Sequence, residues 1–238
     1  MLQSLRGIAD EVVVVDSGST DRTEAIARDY GAGFHFRSWT NYSEQRNFAA
    51  SLACHDWALT VDADEELSSA LQSAILCWKK RAPQFDVYEV ARRTWYLGAW
   101  IKHSGWYPDW NERLYRKEAM RYAGLVHERL QYQGPCGRLG GDLLHYTIHD
   151  FAEHQANVER YSTLAAKRMY EEGKRHWRGA LWFAVPWSLV HNYVVRGGFL
   201  DGYRGMLIAR MAARAVRLKY AKLGQLLAAE RKPGEQAK

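Results

Sequence analysis

The stretch LTVDADEEL, Leu59 to Leu67, sets four carboxylates, Asp62, Asp64, Glu65 and Glu66, within five positions behind an apolar run. Like charges this close raise one another's pKa unless cations or hydrogen-bond donors lie among them. In extended backbone, residues i and i+2 point to the same face. Asp62 and Asp64 are therefore expected to project together and to share a divalent cation, or to divide a cation and a ribose between them. Mg²⁺ and Mn²⁺ take oxygen ligands, and Mg²⁺ usually binds through one or two carboxylates plus substrate phosphates. A nucleoside diphosphate is a natural second half of such a site. The competing reading is a helix start, where Asp64, Glu65 and Glu66 would complement the positive end of the dipole.

Three more groups could do chemistry. Asp16 and Ser17 follow the apolar run Val12 to Val15 and open the turn Asp-Ser-Gly-Ser, which is also ordinary turn chemistry. Glu44, Gln45, Arg46 and Asn47 form a polar set in SEQRNFA. His145, His149 and His154 invite a metal reading, but LLHYTI around the first of them reads as a strand, which breaks a shared helical face. His145 stays a candidate to complete a metal or diphosphate site.

These residues need elements to hold them. Val12 to Val15 read as a strand buried on both faces, Thr23 to Tyr30 as a helix ended by Gly31, and Gly33 to Phe36 as a second strand. Helices are expected over about 43–53 and 68–80, and a strand over DWALTV with the acids at its C-terminal end. Residues 86–146 read as strand-rich, and helix dominates from about 150. The fold class is α/β: an open sheet over residues 1–148, then a helical region over 149–238. Such sheets bind ligands outside the carboxyl ends of their strands, so one crevice is expected to hold Asp16, Asp62 and Asp64.

Composition narrows the setting. The chain has 238 residues, 10 Trp, 14 Tyr and a formal net charge of +6, which favours anionic partners. Cys54, Cys77 and Cys136 form no paired motif, which argues for a reducing compartment and against a disulfide scaffold. The opening MLQSLRGIADE lacks the apolar run of a signal peptide. No nucleic-acid motif is recognised, and no nucleic-acid partner is expected.

VVVVDSGSTDRT, EQRNFA and DWALTVDADEEL, in this order and spacing, resemble the family 2 glycosyltransferases. The nearest likeness is to bacterial enzymes that add sugars to the lipopolysaccharide core, such as the β-1,4-glucosyltransferases. GLVHERL, LLHYTIHD and GGFLDGYRGMLIA are similar to that subgroup too. The resemblance covers about residues 5–223 and is most specific in the first third. It implies a GT-A (Rossmann-like) open mixed sheet with a helical C-terminal extension, Mg²⁺ or Mn²⁺ as cofactor, a UDP-sugar or other nucleotide-sugar donor, and a glycolipid or saccharide acceptor. By that likeness Asp16 and Ser17 meet the base or ribose, and Arg46 and Asn47 lie near the nucleotide and diphosphate. Asp62 faces ribose or metal, Asp64 is the main metal ligand, and Glu128 in GLVHERL is the general base of an inverting transfer. Asp109 and Glu112 are rivals for that base, and His127 is a possible assistant. The family normally begins with a strand of the type VSVVIITKNEE, and this chain opens inside what would be the first helix. A rival expectation follows from that: a catalytically inactive, membrane-associated binding or scaffold protein. A nucleotidyltransferase is the third.

The aromatic stretch RRTWYLGAWIKHSGWYPDW suits an acceptor wall, a lid or plain packing. Ala180 to Val195 is apolar but shorter than the ~20 residues a membrane span needs. From Phe199 onward, apolar residues recur at helical spacing opposite Arg204, Arg210, Arg214, Arg217 and Lys219. That pattern suits an anionic membrane surface or packing on the domain. The expected location is the cytoplasm, peripherally on the inner face of the cytoplasmic membrane.

Overall fold

The computed structural model describes residues 1–124, 129–148, 150–175 and 177–231. They form two compact units: residues 1–93 with 109–145, and 94–108 with those from 146 on. Residues 94–108 thus group with the helical region rather than with the sheet that flanks them in sequence.

The first unit opens with a short helix, α1 (Leu2–Leu5), and then the expected β-turn-α arrangement. β1 (Val13–Asp16) pairs in parallel with β2 (Gly33–Phe36) across α2 (Thr23–Asp29). The pair is a separate two-stranded sheet. All four β1 residues are consequently half-buried, not covered on both faces as their β-branched run suggests. Asn41 caps α3 (Tyr42–Leu52), its Oδ1 accepting from Glu44 N at 2.9 Å.

The acidic stretch departs from expectation. β3 (Trp57–Leu59) ends before the acids, and the chain turns, with Glu65 N donating to Asp62 O at 3.0 Å. Glu65 and Glu66 begin β4 (Glu65–Leu67), antiparallel to β10 (Gly137–Ile148), and not a helix. The next helix, α4 (Ser69–Lys79), is capped by Ser68, whose Oγ accepts from Leu71 N at 3.3 Å. The helix-start reading of Glu65 and Glu66 is thus overturned: a hydroxyl cap two residues further on already satisfies the helix end.

Strands β5 (Val87–Tyr96) and β7 (Asp109–Arg116) complete a sheet of order β3-β7-β5-β10-β4, with β6 (Ala99–Trp100) on β5. β8 (Arg121–Ala123) and β9 (Arg129–Gln131) form an antiparallel pair. The core under α4 gathers Leu5, Ile8, Leu67, Leu71, Ile75, Val90, Leu114 and Leu143. Gly141 is what lets β10 lie against the start of α4. Its φ is +90°, and a Cβ there would run into the backbone of Ala70 and Leu71.

The second unit is built on α5 (Phe151–Glu171), α6 (Arg178–Val190) and α7 (Gly202–Arg231). A π-helical turn (His191–Val195) and a 3-10 turn (Gly198–Asp201) join the last two. Ala166 of α5 packs with Leu223 and Leu227 of α7. Tyr96 and Ile101 pack with Leu207 and Ile208. Lys222 of α7 clasps α5, donating to Ser162 Oγ at 2.9 Å and Thr163 Oγ1 at 2.8 Å and pairing with Glu159.

The stretch GGFLDGYRGMLIA is explained within this unit. The buried Asp201 carboxylate accepts from the backbone N–H groups of Lys102 and His103 at 3.1 Å and from Ser104 Oγ at 2.7 Å. Arg204 Nε donates to Leu97 O at 2.8 Å. Gly205 has the Gly198 carbonyl where a Cβ would sit. Of the aromatic stretch, Tyr96 and Trp106 pack together inside the unit, so for them the packing reading holds. No helix among the described residues is long and apolar enough to cross a membrane.

Candidate functional site

Among the described residues, the donor-site candidates fall in the first unit, and α3 ties Ser17 to Asp62. At the end of β1, Asp16 closes its own turn. Its Oδ2 accepts from Gly18 N at 2.6 Å and Ser19 N at 2.8 Å, and its Oδ1 accepts from Ser19 Oγ at 2.5 Å. The Ser19 hydroxyl and amide hold this carboxyl below the usual range, so it stays ionised. Gly18, at φ +112°, allows the turn. The next residue, Ser17, accepts through its hydroxyl from Gln45 Nε2 at 3.0 Å.

Gln45 and Arg46 are consecutive on α3 yet serve different strands. Gln45 reaches Ser17 after β1, while Arg46 Nη2 grips both oxygens of Asp62, at 2.9 and 3.1 Å. The Arg46 guanidinium also lies over the Tyr122 ring. Asp62 meets a second cation, Arg113 Nη2, at 3.2 Å, and the same Nη2 lies 2.5 Å from Glu65 Oε1. Arg113 is 3% exposed, and the Glu65 side chain is fully buried. Glu65 also accepts, through Oε2, from Asp62 N at 2.9 Å. Burial pushes the Glu65 carboxyl up, with Arg113 working against it. Burial opposes ionisation of Asp62 as well, but Arg113 and Arg46 outweigh it and hold that carboxyl below its usual range.

Asp62 and Asp64 take different partners. The turn between β3 and β4 sends Asp62 to the two arginines and Asp64 to His145, whose Nε2 lies 3.1 Å from Asp64 Oδ2. The extended geometry expected for Asp62-Ala63-Asp64 is therefore corrected. The hydrogen bond from His145 is the main cause holding Asp64 low, and it outweighs partial burial. The Asp64 side chain keeps 46% of its exposure, whereas that of His145 is largely covered.

Asn47 uses its whole amide on one strand residue. Its Nδ2 donates to Tyr122 O and its Oδ1 accepts from Tyr122 N, both at 2.9 Å. Ser43, also on α3, donates to Gly124 O at 2.8 Å. The helix that carries Arg46 thus holds the chain up to the residue before position 125. Glu128, with His127, lies outside the described residues, as does His149. Of the rivals for the base, Asp109 is paired with Arg92, at 2.7 Å. Glu112 lies on β7 opposite Glu89. His154 is in the second unit, where its Nδ1 meets Tyr96 Oη at 2.7 Å.

Sequence reasoning missed the pairing of Arg113 with Asp62 and Glu65, and the burial of Glu65. The signal for Arg113 was the period-two pattern of NERLYR, which puts it on the same face as Tyr115, a core residue. Several polar atoms here are buried without hydrogen-bond partners among the described residues: Arg113 Nε and Nη1, His145 Nδ1 and Gln45 Oε1. Among the described residues, no group of three or more His, Cys, Asp or Glu is arranged to hold a metal by itself.

The profile of "Glycosyl transferase family 2" matches residues 1–129. A lipopolysaccharide core biosynthesis glycosyltransferase of Rhizobium meliloti is 32% identical, over 98% of this chain and 88% of its own. An uncharacterized glycosyltransferase of Rickettsia typhi is 29% identical, over 94% of this chain and 81% of its own. The solved structure of S. aureus TarS 1-349 aligns over 96% of this chain and 88% of that chain, at 14% identity and a TM-score of 0.42. The α/β architecture with a helical C-terminal region is the one the resemblance implied. The chain belongs to glycosyltransferase family 2.

Proposed function

We propose that this glycosyltransferase is metal-dependent and inverting, and that it moves a sugar from a UDP-sugar to a lipopolysaccharide-core or related glycolipid acceptor at the inner face of the cytoplasmic membrane. One observation carries the donor site: consecutive residues of α3 bind the end of β1 and the loop after β3. That bond pair brings the Asp16 turn and the acidic loop to one helix. The unsatisfied buried atoms around it support a polar ligand there. The acceptor class rests on the core-biosynthesis relative.

The Asp64 carboxylate suits Mg²⁺ or Mn²⁺, and a role for the His145 imidazole favours Mn²⁺ of the two. Asp64 is half exposed, and a carboxylate beside an imidazole is a set that Mn²⁺ accepts. Two protein ligands with phosphate oxygens make an ordinary site, so a set of two among the described residues is enough. Asp64 and His145 would hold the ion, which when bound supplies positive charge to the departing diphosphate. Asp62 is proposed to position Arg46 for the diphosphate and to share Arg113 with Glu65. Asp16 and Ser17 are assigned the base and ribose. Asn47 is assigned to holding β8. Glu128 is proposed as the base that takes the proton of the attacking hydroxyl.

Calorimetric titration with UDP, with and without Mn²⁺, tests the assignment. Asp64→Ala should abolish the Mn²⁺-dependent part of binding and lower transfer by about 10²–10³-fold, the range for losing one electrostatic stabiliser. Full transfer activity in that variant sinks the metal role. Glu128→Gln should bind UDP normally and lose transfer. Loss of UDP binding instead would remove Glu128 from the base role.

A further inference from the structure

We propose that the outer face of α6 and the turns after it are the surface that enters an anionic membrane, with the membrane held against α6 and not against α7. The proposal rests on the glycolipid reading above and names the residues that would execute it.

The apolar stripe of α7 is not available to a lipid surface. Leu207, Ile208, Met211, Leu223 and Leu227 are buried within the second unit. α6 is the opposite case. Its sequence RGALWFAVPWSLV is apolar nearly all round, a pattern that belongs inside a protein or in lipid. None of its described side chains is buried. Trp182 is 80% exposed and Phe183 79%, and Trp187, Leu189 and Val190 are exposed beside them. Positions 183, 187, 190 and 194 follow one another at helical spacing, so they make one stripe. The patch continues past the π-helical turn. Tyr193 meets Phe199 with ring centroids 6.4 Å apart, and Val194, Val195, Phe199, Leu200 and Tyr203 are exposed. A monomer rarely leaves a contiguous apolar surface of this kind uncovered.

Charge identifies the occupant. Between Glu172 and Asp201 there is no acidic residue, while Lys174, Arg175, Arg178 and Arg196 lie in that interval. Lys174 meets Glu172, and Arg175 lies near Glu230. Arg178 and Arg196 are exposed, one at each end of the α6 and π-turn segment, and neither is paired with an acid among the described residues. Asp201, the next acid, is covered and turned onto the backbone of Lys102 and His103. Tryptophan and tyrosine between two arginines suit the boundary between headgroups and acyl chains. The rings enter the boundary while the guanidiniums stay with lipid phosphates. The segment is too short to span, so it lies in the surface.

The test is flotation of the whole chain with vesicles of phosphatidylglycerol and phosphatidylethanolamine, beside vesicles of phosphatidylcholine alone. The chain should float with the anionic vesicles, and release should follow added salt. Trp182→Glu with Phe183→Glu should lower the bound fraction by about tenfold or more, and Arg178→Glu by less. Both variants should keep the wild-type unfolding temperature and UDP affinity. Quenching of wild-type tryptophan fluorescence by brominated lipid gives a reading that needs no variant. Flotation unchanged in the double variant, or absent quenching, overturns the proposal. So does a wild-type dimer that ignores vesicles and that the double variant dissociates, since the face would then meet a second copy. A chain that uses this face on vesicles but binds no UDP upholds this inference and refutes the donor reading.

Discussion

Arg113 is a buried cation. Its neighbours Glu65 and Asp62 make that tolerable, and removing Glu65 leaves the guanidinium with the partly exposed Asp62 only. Glu65→Ala should cost about 3 kcal/mol in chemical denaturation. Replacing Glu65 and Arg113 together by Met should cost much less, because breaking a buried pair is worse than removing it. His154 supplies a pH signature. Its burial holds the imidazole below its ordinary value, and Tyr96 packs against it. The folded chain then binds fewer protons than the unfolded chain once pH drops below about 6.5. Stability from this group is full above that pH and falls as pH declines through it. His154→Gln should flatten that part of a stability–pH curve measured by urea unfolding.

Among the elements, the parts with a strong local cause were readable. The valine run, Gly18 and the polar Ser-Thr-Asp series name β1, the turn and α2 without help from the rest of the chain. The loop at Asp62 to Leu67 was not readable, because Glu65 and Glu66 carry the chemistry of a first helical turn. What overrides it is pairing with β10, some 80 residues away, and a partner at Arg113. The resemblance pointed to Asp62, Asp64 and Arg46, but no spacing rule shows that Asp62 faces two arginines and Asp64 a histidine. Gly141 makes the same point. Gly141→Ala should destabilise the first unit by about 3 kcal/mol, from the positive φ together with the collision at Leu71. Thermal unfolding measures it; an unchanged midpoint would mean that α4 can move aside.

At the scale of the whole molecule, sequence alone separates a sheet region from a helical one. It misplaces residues 94–108, whose strand-like appearance hides their ties to Asp201 and Arg204. It reads a helix over the α7 region, but periodicity cannot say whether protein or lipid covers an apolar side: Leu207 and Met211 are buried, while Leu200 and Tyr203 of the same expected stripe are exposed. The donor residues all belong to the first unit, and Lys222 belongs to the second. Lys222→Met should therefore raise hydrogen exchange in α5 and α7, by an opening-energy loss of about 1–2 kcal/mol. UDP affinity should not change; a parallel loss of affinity would contradict the separation.

The alternation of duties along α3 also limits how this gene can vary in length. Gln45 and Arg46 face different strands because each helical residue turns the next by about 100°. One alanine inserted between them would rotate one partner away from its strand while leaving the other in place, and no substitution elsewhere on the helix restores both. Frame-preserving insertions should therefore be purged between positions 45 and 46 and tolerated in the exposed loop at 81–84. A library of single-codon insertions, selected for transfer activity and sequenced, would show that contrast as a gap in a tract where point changes on the outer side of the helix survive.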